Sequence, residues 1–474
     1  MTRDTTAKMS YCQAVLLLTI SFAWALAPHA RAQTNTRPCH DLGPAVDQAL
    51  VIMQRERLPG AALSFEKRDG ARETRFLGSY TGTTVLPIAS ASKLVSACVL
   101  MKLVDQSKLS LDDPVGKYLP TFTGTKGKMT LRQCFAHTSG LPSKHTILSN
   151  QAITLAQCVD YIGRNIPLRA TPGTKFSYGG LSMSVAGRVC EIVSGKDWEQ
   201  LVRDELLTPL GITTLDYQGH GSTKNYRIGA SVQCRLEDYR RILAMLLNGG
   251  LYGTKRVLSQ QAVATMSCDQ TQGAQIAYTP HPDPTVRYGV GCWLDRVAGG
   301  RTLMMSSPGA RGFTPWLDFE RELAGVFMVD GVNQRIRDDV AKIVAWSRDE
   351  FALRGAACFG METQLGGNRL RLLPERECVA GNGGFSLLLS GAPAGAPGLT
   401  LFGFEHAGLE LLGIRFHVDL ATPPVAVVVT ADRNGQARLQ VPLPGSARGA
   451  TAAAQGLWFW NRFGATPGLR LMPR

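Results

Sequence analysis

Ser90-Ala91-Ser92-Lys93 sets a hydroxyl and an amine three residues apart. On a helix, residues at that spacing share a face. The lysine amine then stands beside the serine oxygen and can take its proton. The chemistry this permits is nucleophilic catalysis through an acyl-serine. A free lysine keeps its proton up to about pH 10.4, so burial or a nearby cation must lower it, or a tyrosine must share the work. Tyr178 is the candidate partner, because a phenol can shuttle a proton between nucleophile, leaving group and attacking water. A second copy of the spacing, Ser64-Phe65-Glu66-Lys67, lies in a run that reads as a strand. There, residues three apart point to opposite faces, and this copy is expected to be structural. The chain holds no Gly-x-Ser-x-Gly elbow of an α/β-hydrolase. Without Cys-x-x-Cys or clustered His spacing, no metal or other cofactor is expected.

The elements that must position these groups are legible as periodic runs. A helix is expected from Leu42 to Arg55. Ala61 to Lys67 and Thr74 to Leu77 read as strands joined at Asp69-Gly70. A strongly apolar helix begins near Ser90, with Leu94, Val95, Cys98, Val99, Met101 and Leu103 mostly buried. Helices and loops alternate to about Met266. Met304–Met305 and Leu323 to Val329 read as strands, and a helix from Arg335 to Arg354 closes the region. Composition changes near Gly355. Residues 380–474 read as a separate small all-β domain of sandwich type. Within it Val425, Val427 and Val429, then Asn434-Gly435, then Leu439, Val441 and Leu443 give a hairpin signal.

A chain of 474 residues with 44% apolar and 19% charged residues is globular and long enough for two domains. The net charge of +14 comes from scattered Lys and Arg, so no nucleic-acid partner is expected. Arg3 and Lys8 precede an apolar run from Ala14 to Leu26, and Ala30-Arg31-Ala32 supplies a small-x-small cleavage pattern. These parts predict a signal peptide over residues 1–32 and a periplasmic or extracellular location. No membrane span is expected after its removal. Of the 11 Cys, ten lie beyond that segment. Cys98, Cys134 and Cys190 are expected as small buried hydrophobes, with Cys358 and Cys378 the first choice for a bridge.

Several ordered motifs make the stretch from about 40 to 354 resemble the serine β-lactamase and penicillin-binding-protein family, including class C β-lactamases, D-alanyl-D-alanine carboxypeptidases and β-lactamase-like esterases. They are Ile88-Ala89-Ser90-Ala91-Ser92-Lys93, Leu111-Asp112-Asp113-Pro114-Val115, Tyr118-Leu119-Pro120, His137-Thr138-Ser139-Gly140-Leu141-Pro142, Pro172 to Tyr178, and Pro209-Leu210-Gly211. The resemblance implies an α/β fold: an antiparallel sheet flanked by helices, with a mostly helical subdomain supplying Tyr178. It implies Ser90 as nucleophile and Lys93 and Tyr178 as proton handlers, with His137 structural. It puts Ser307-Pro308-Gly309-Ala310 on an edge strand beside the substrate, with the amides of Ser90 and Ala310 as oxyanion hole.

Two positions depart from the family pattern. Gly180 stands where an Asn follows the tyrosine, and Ser307 replaces the strand's cation, leaving Arg311 as the nearby substitute. Gly180, Ser307, Gly309 and Arg311 are thus the expected substrate-binding positions. The depleted carboxylate anchor points to esters or small amides before β-lactams or D-alanyl peptides. A non-catalytic envelope protein on the same fold is the alternative from another class. The C-terminal domain resembles a β-rich module of exported bacterial proteins, with cell-envelope contact as its expected partner role.

Overall fold

The computed structural model describes residues 42–351 without a break, together with Thr36–Arg37 and a set of strand segments and one turn between Ala356 and Leu471. Residues 1–35, and with them the expected signal peptide, lie outside the described residues.

The catalytic region begins with α1 (Gly43–Glu56), which buries Ala45, Ala49 and Ile52 in one stripe and stops where Arg57 turns left-handed at φ 53°. β1 (Gly60–Lys67) and β2 (Arg72–Gly78) form a hairpin in register from Gly60↔Gly78 to Glu66↔Arg72. Its turn is closed by Asp69 Oδ1 accepting the Ala71 N–H at 2.9 Å. Next come α2 (Ser92–Asp105), α3 (Leu181–Ser194) and α4 (Leu236–Leu247). β3 (Arg287–Tyr288), β4 (Trp293–Ala298), β5 (Arg301–Ser306), β6 (Thr314–Asp318) and β7 (Leu323–Met328) follow, and α5 (Asn333–Glu350) ends the region.

These strands form one antiparallel sheet in the order β3-β4-β5-β6-β7-β1-β2. Both faces of its centre are covered, so β1 and β7 are buried along almost their whole length. Ala61, Leu63 and Phe65 pack with Leu323 and Phe327 against α1 and against Ile336, Val340 and Ile343 of α5. Ala62, Ala324, Val326 and Met328 join the large core of the helical side. That core is centred on α2, which is buried from Ser92 to Met101, with apolar residues on most of its circumference and Ser92, Lys93 and Ser96 as its buried polar groups. Glu66, on the same side of β1, forms a buried ion pair with Arg240 of α4. Cys98, Cys134 and Cys190 are buried free thiols, as expected.

The C-terminal segments are all antiparallel strands. Thr36–Arg37, Ala356–Phe359, Gly468–Leu471, Ala452–Trp460, Pro397–Gly403 and Val425–Thr430 line up in one sheet, with Arg462–Ala465 branching from Ala452–Trp460. Three further strands form a second sheet. Among the described residues, the two arms of the expected hairpin do not pair with each other. Val425–Thr430 pairs with Pro397–Gly403, whereas Ala437–Gln440 pairs with Ser386–Ser390 in the other sheet. The chain does reverse, with Asp432 N donating to Gln436 O at 2.6 Å, but it crosses from one sheet to the other there. Asn434-Gly435 and Cys378 lie outside the described residues. Among the described residues, no helix is long and apolar enough to cross a membrane.

Candidate active site

Ser90 sits in a single 3₁₀ turn, Ala89–Ala91, that runs directly into α2. Several contacts over-determine this turn. Ala89 adopts φ 47°, a left-handed conformation that costs a residue with a Cβ. Ser92 Oγ donates to Ala89 O at 2.6 Å and accepts the Val232 N–H at 3.0 Å. Tyr239 donates its hydroxyl to Ala91 O at 2.8 Å. Gly309 presses on the residue before the turn, where a Cβ would meet Ile88 O at 2.1 Å. Strain held in this way is typical of a functional turn.

Lys93 is one helical turn on and buried. Its Nζ lies 3.1 Å from Ser90 Oγ and donates to Gly229 O at 2.9 Å. Burial, assisted by the positive charge of Arg227, pulls its pKa down to about 7. The amine is therefore a usable base near neutrality, and the Gly229 carbonyl fixes its orientation. Gly229 is closely packed, since a Cβ there would lie 3.1 Å from Met183 Sδ and 3.2 Å from Lys93 Nζ.

Tyr178 follows the short strand Lys175–Ser177 and immediately precedes the Gly179-Gly180 step into α3. Its ring lies 4.6 Å from Lys93 Nζ and stacks on Trp293 at 5.1 Å. Burial pushes the phenol well up, with Ser90 pulling it partly back. The group is thus held protonated, as a donor. His137 packs 4.6 Å from the Tyr178 ring. Its main-chain carbonyl takes the Ser177 N–H at 2.8 Å and its Nδ1 the Gly179 N–H at 3.4 Å. Burial, then Lys93, drives its pKa down, so it holds the tyrosine segment as a neutral ring.

Ser90, Lys93, Tyr178, Gly180, Gly309 and Ala310 line one cavity. The other expected positions need correction. β5 is not an edge strand: Ser306 pairs with Trp293 on one side and Trp316 on the other. Only beyond Ser306, where β4 has run out, is the segment open, and Pro308 lies there facing the cavity. Ser307 is buried and turned inward, its Oγ 3.4 Å from Ser90 O and 3.3 Å from Gly291 O. It braces the nucleophile turn and does not line the cavity, so it is no substrate contact. Arg311 reaches the rim, but its guanidinium is spent on Asp330 through two bonds of 2.7 and 2.6 Å. It is not a free carboxylate anchor.

Arg227 and His220, on the loop before α4, also line the cavity. No sequence motif marked them. The one local signal is Gly229, whose missing side chain leaves room for the lysine.

The beta-lactamase family model matches residues 48–345. A penicillin-binding protein 4 from Amycolatopsis lactamdurans is 30% identical over 170 residues, 33% of this chain and 44% of that protein. The D-alanyl-D-alanine-carboxypeptidase/endopeptidase AmpH of Escherichia coli is 29% identical over 182 residues, 36% of this chain and 46% of that protein. The match thus spans less than half the length of either curated relative. Among solved structures, a Bacteroides dorei protein described as a beta-lactamase superposes with a TM-score of 0.58 at 30% identity, covering 65% of this chain and 99% of that one. EstCE1, a hydrolase with promiscuous acyltransferase activity, shares the fold with a TM-score of 0.53 at 18% identity, covering 65% of this chain and 97% of that one.

Proposed function

The chain belongs to the beta-lactamase family, and from that premise we propose that it is an acyl-serine hydrolase acting on esters or small amides. The observation that carries the proposal is Lys93 Nζ at 3.1 Å from Ser90 Oγ, in surroundings that hold its pKa near 7. Neutral Lys93 takes the Ser90 proton as Oγ attacks the substrate carbonyl. The amides of Ser90 and Ala310 receive the oxyanion. Tyr178, kept protonated by burial, hands its proton to the leaving group and is reprotonated from Lys93. A water then enters by the same route in reverse and frees Ser90. Esters suit this site better than amides, because an alkoxide leaving group needs less protonation than an amine.

A fluorophosphonate probe tests the proposal. It is expected to label the wild type and not Ser90→Ala. Equal labelling of both would end it. A second reading, D-alanyl-D-alanine carboxypeptidase or β-lactamase, draws on the AmpH relative. Against it, Ser307 gives no cation and Gly180 no amide to such substrates. Weak or absent nitrocefin turnover is therefore expected, and turnover at β-lactamase rates would reverse the preference. We also propose export through the N-terminal leader and envelope contact through the C-terminal β-rich part. N-terminal sequencing of the mature protein, expected to begin at Gln33, checks the first of these.

A further inference from the structure

We propose that Arg227, with His220 beside it, forms an anion subsite, so that this serine site takes substrates carrying a carboxylate. The inference rests on the acyl-serine reading of Ser90 and adds a substrate class to it.

Arg227 lines the same cavity as Ser90 and Lys93 and is half-buried. Its Nε is fully buried with no hydrogen-bond partner. Among the described residues no carboxylate forms an ion pair with it, whereas the cavity's other Arg beside the oxyanion amides, Arg311, is neutralised by Asp330. Burial disfavours the charge on the guanidinium. A desolvated cation without a counter-ion is costly. Here it also repels Lys93. Folding alone gains nothing from such a group, but a ligand carboxylate offsets both costs with charge-assisted bonds.

The surroundings fit that occupant. The Arg227 main chain is fixed by its turn, its N–H donating to Ser231 Oγ at 3.2 Å and its carbonyl accepting Ala230 N at 2.8 Å. Ile228 O accepts from Ser96 Oγ and Gly229 O holds Lys93, so the guanidinium is tied to the catalytic amine by two residues of fixed backbone. His220, also half-buried, has its pKa lowered by burial and by Arg227. At neutral pH it is an uncharged ring, held by a hydrogen bond to the Ala230 main chain, and adds no competing charge beside Arg227. Lys93 is not available as the anchor, because Ser90 needs it as a base. The family's anchoring strand position is filled by Ser307, which faces away. Anion recognition has thus moved from the strand to the loop before α4.

Boronic acids that add to Ser90 test this without a known substrate. A short series bearing a carboxylate at increasing distance from boron is compared with the matching carboxamides, reading protection of the full chain against fluorophosphonate labelling. At least one carboxylate is expected to bind roughly 10- to 100-fold tighter than its carboxamide. That ratio is expected to fall to about one in Arg227→Gln and to be partly kept in Arg227→Lys. If neutral boronic acids protect Ser90 but no carboxylate is preferred, the subsite is overturned. It is equally overturned if the preference survives unchanged in Arg227→Gln. Labelling that persists in Ser90→Ala would instead remove the acyl-serine reading beneath it.

Discussion

The chain carries the same tetrad twice, and the two copies have opposite fates. Ser90 and Lys93 sit at the entrance to a helix, where a spacing of three brings Oγ and Nζ to 3.1 Å. Ser64 and Lys67 sit on β1, where the same spacing sends them apart. Ser64 Oγ lies 3.2 Å from Thr74 Oγ1 on the neighbouring strand, while Lys67 Nζ donates to the main-chain carbonyls of Arg321 and Phe351. The helical lysine is enclosed and deprotonates near neutrality, whereas the strand lysine closes the end of the sheet by bonding to carbonyls. Chemistry therefore belongs to the secondary structure under the motif and to what covers it, not to the four residues.

Mutating both copies in parallel sharpens that contrast. The largest effect is expected from Ser90→Ala, with ester hydrolysis falling about 10⁴-fold or more. Ser64→Ala should leave activity unchanged and cost about 1 kcal/mol in denaturant unfolding. Lys93→Met should lower kcat/KM about 10³-fold, while Lys67→Met acts on stability alone. A large activity loss in either strand variant would erase the distinction. Gly309→Ala comes next, at about 10²-fold, because its Cβ would collide with Ile88 O and push the nucleophile turn away from the Ala310 amide.

The pH profile gives a smaller effect. kcat/KM for a neutral ester should rise with pH and level off above about 7, where Lys93 loses its proton. Arg227→Gln removes a repelling cation and should move that limb to higher pH, and a limb that stays put would show that Arg227 does not act on the lysine. The smallest effect is on stability. The folded pKa of Lys93 lies below its unfolded value of about 10.4. Between pH 7 and about 10 the unfolded chain binds the extra proton, so stability rises with pH across that window. Below pH 7 the penalty is complete. Lys93→Met should therefore raise Tm by a few degrees at neutral pH, with the gain shrinking towards pH 10. Lys67→Met should lower Tm instead.

What the sequence disclosed followed from periodicity and local spacing. α1, β1, β2 and α5 were legible because each has a distinct apolar face, and the Ser90–Lys93 pair because helical geometry is local. β6 was not legible. Thr314 to Asp318 is buried on both faces, so it shows no alternation, and Pro315 within it reads as a break. The proline is tolerated opposite the end of β5, where its carbonyl takes the Ser307 N–H at 3.3 Å. The direction of Ser307 and the pairing of Arg311 with Asp330 were also hidden, because both depend on chain segments distant in sequence. Arg227 was one basic residue among 51 Lys and Arg, distinguished only once the chain is folded, when it lines the cavity with a buried Nε that has no hydrogen-bond partner.

The left-handed Ala89 limits how portable this motif is. A peptide carrying residues 88–93 into another scaffold would relax into an ordinary helical start, since nothing outside this fold makes that backbone worthwhile. Any transplant must bring Ser92 with its Val232 tether, Tyr239 and the glycine pressed against Ile88. Ala89→Gly, which removes the steric objection to positive φ, is the single change by which a designer could loosen that requirement.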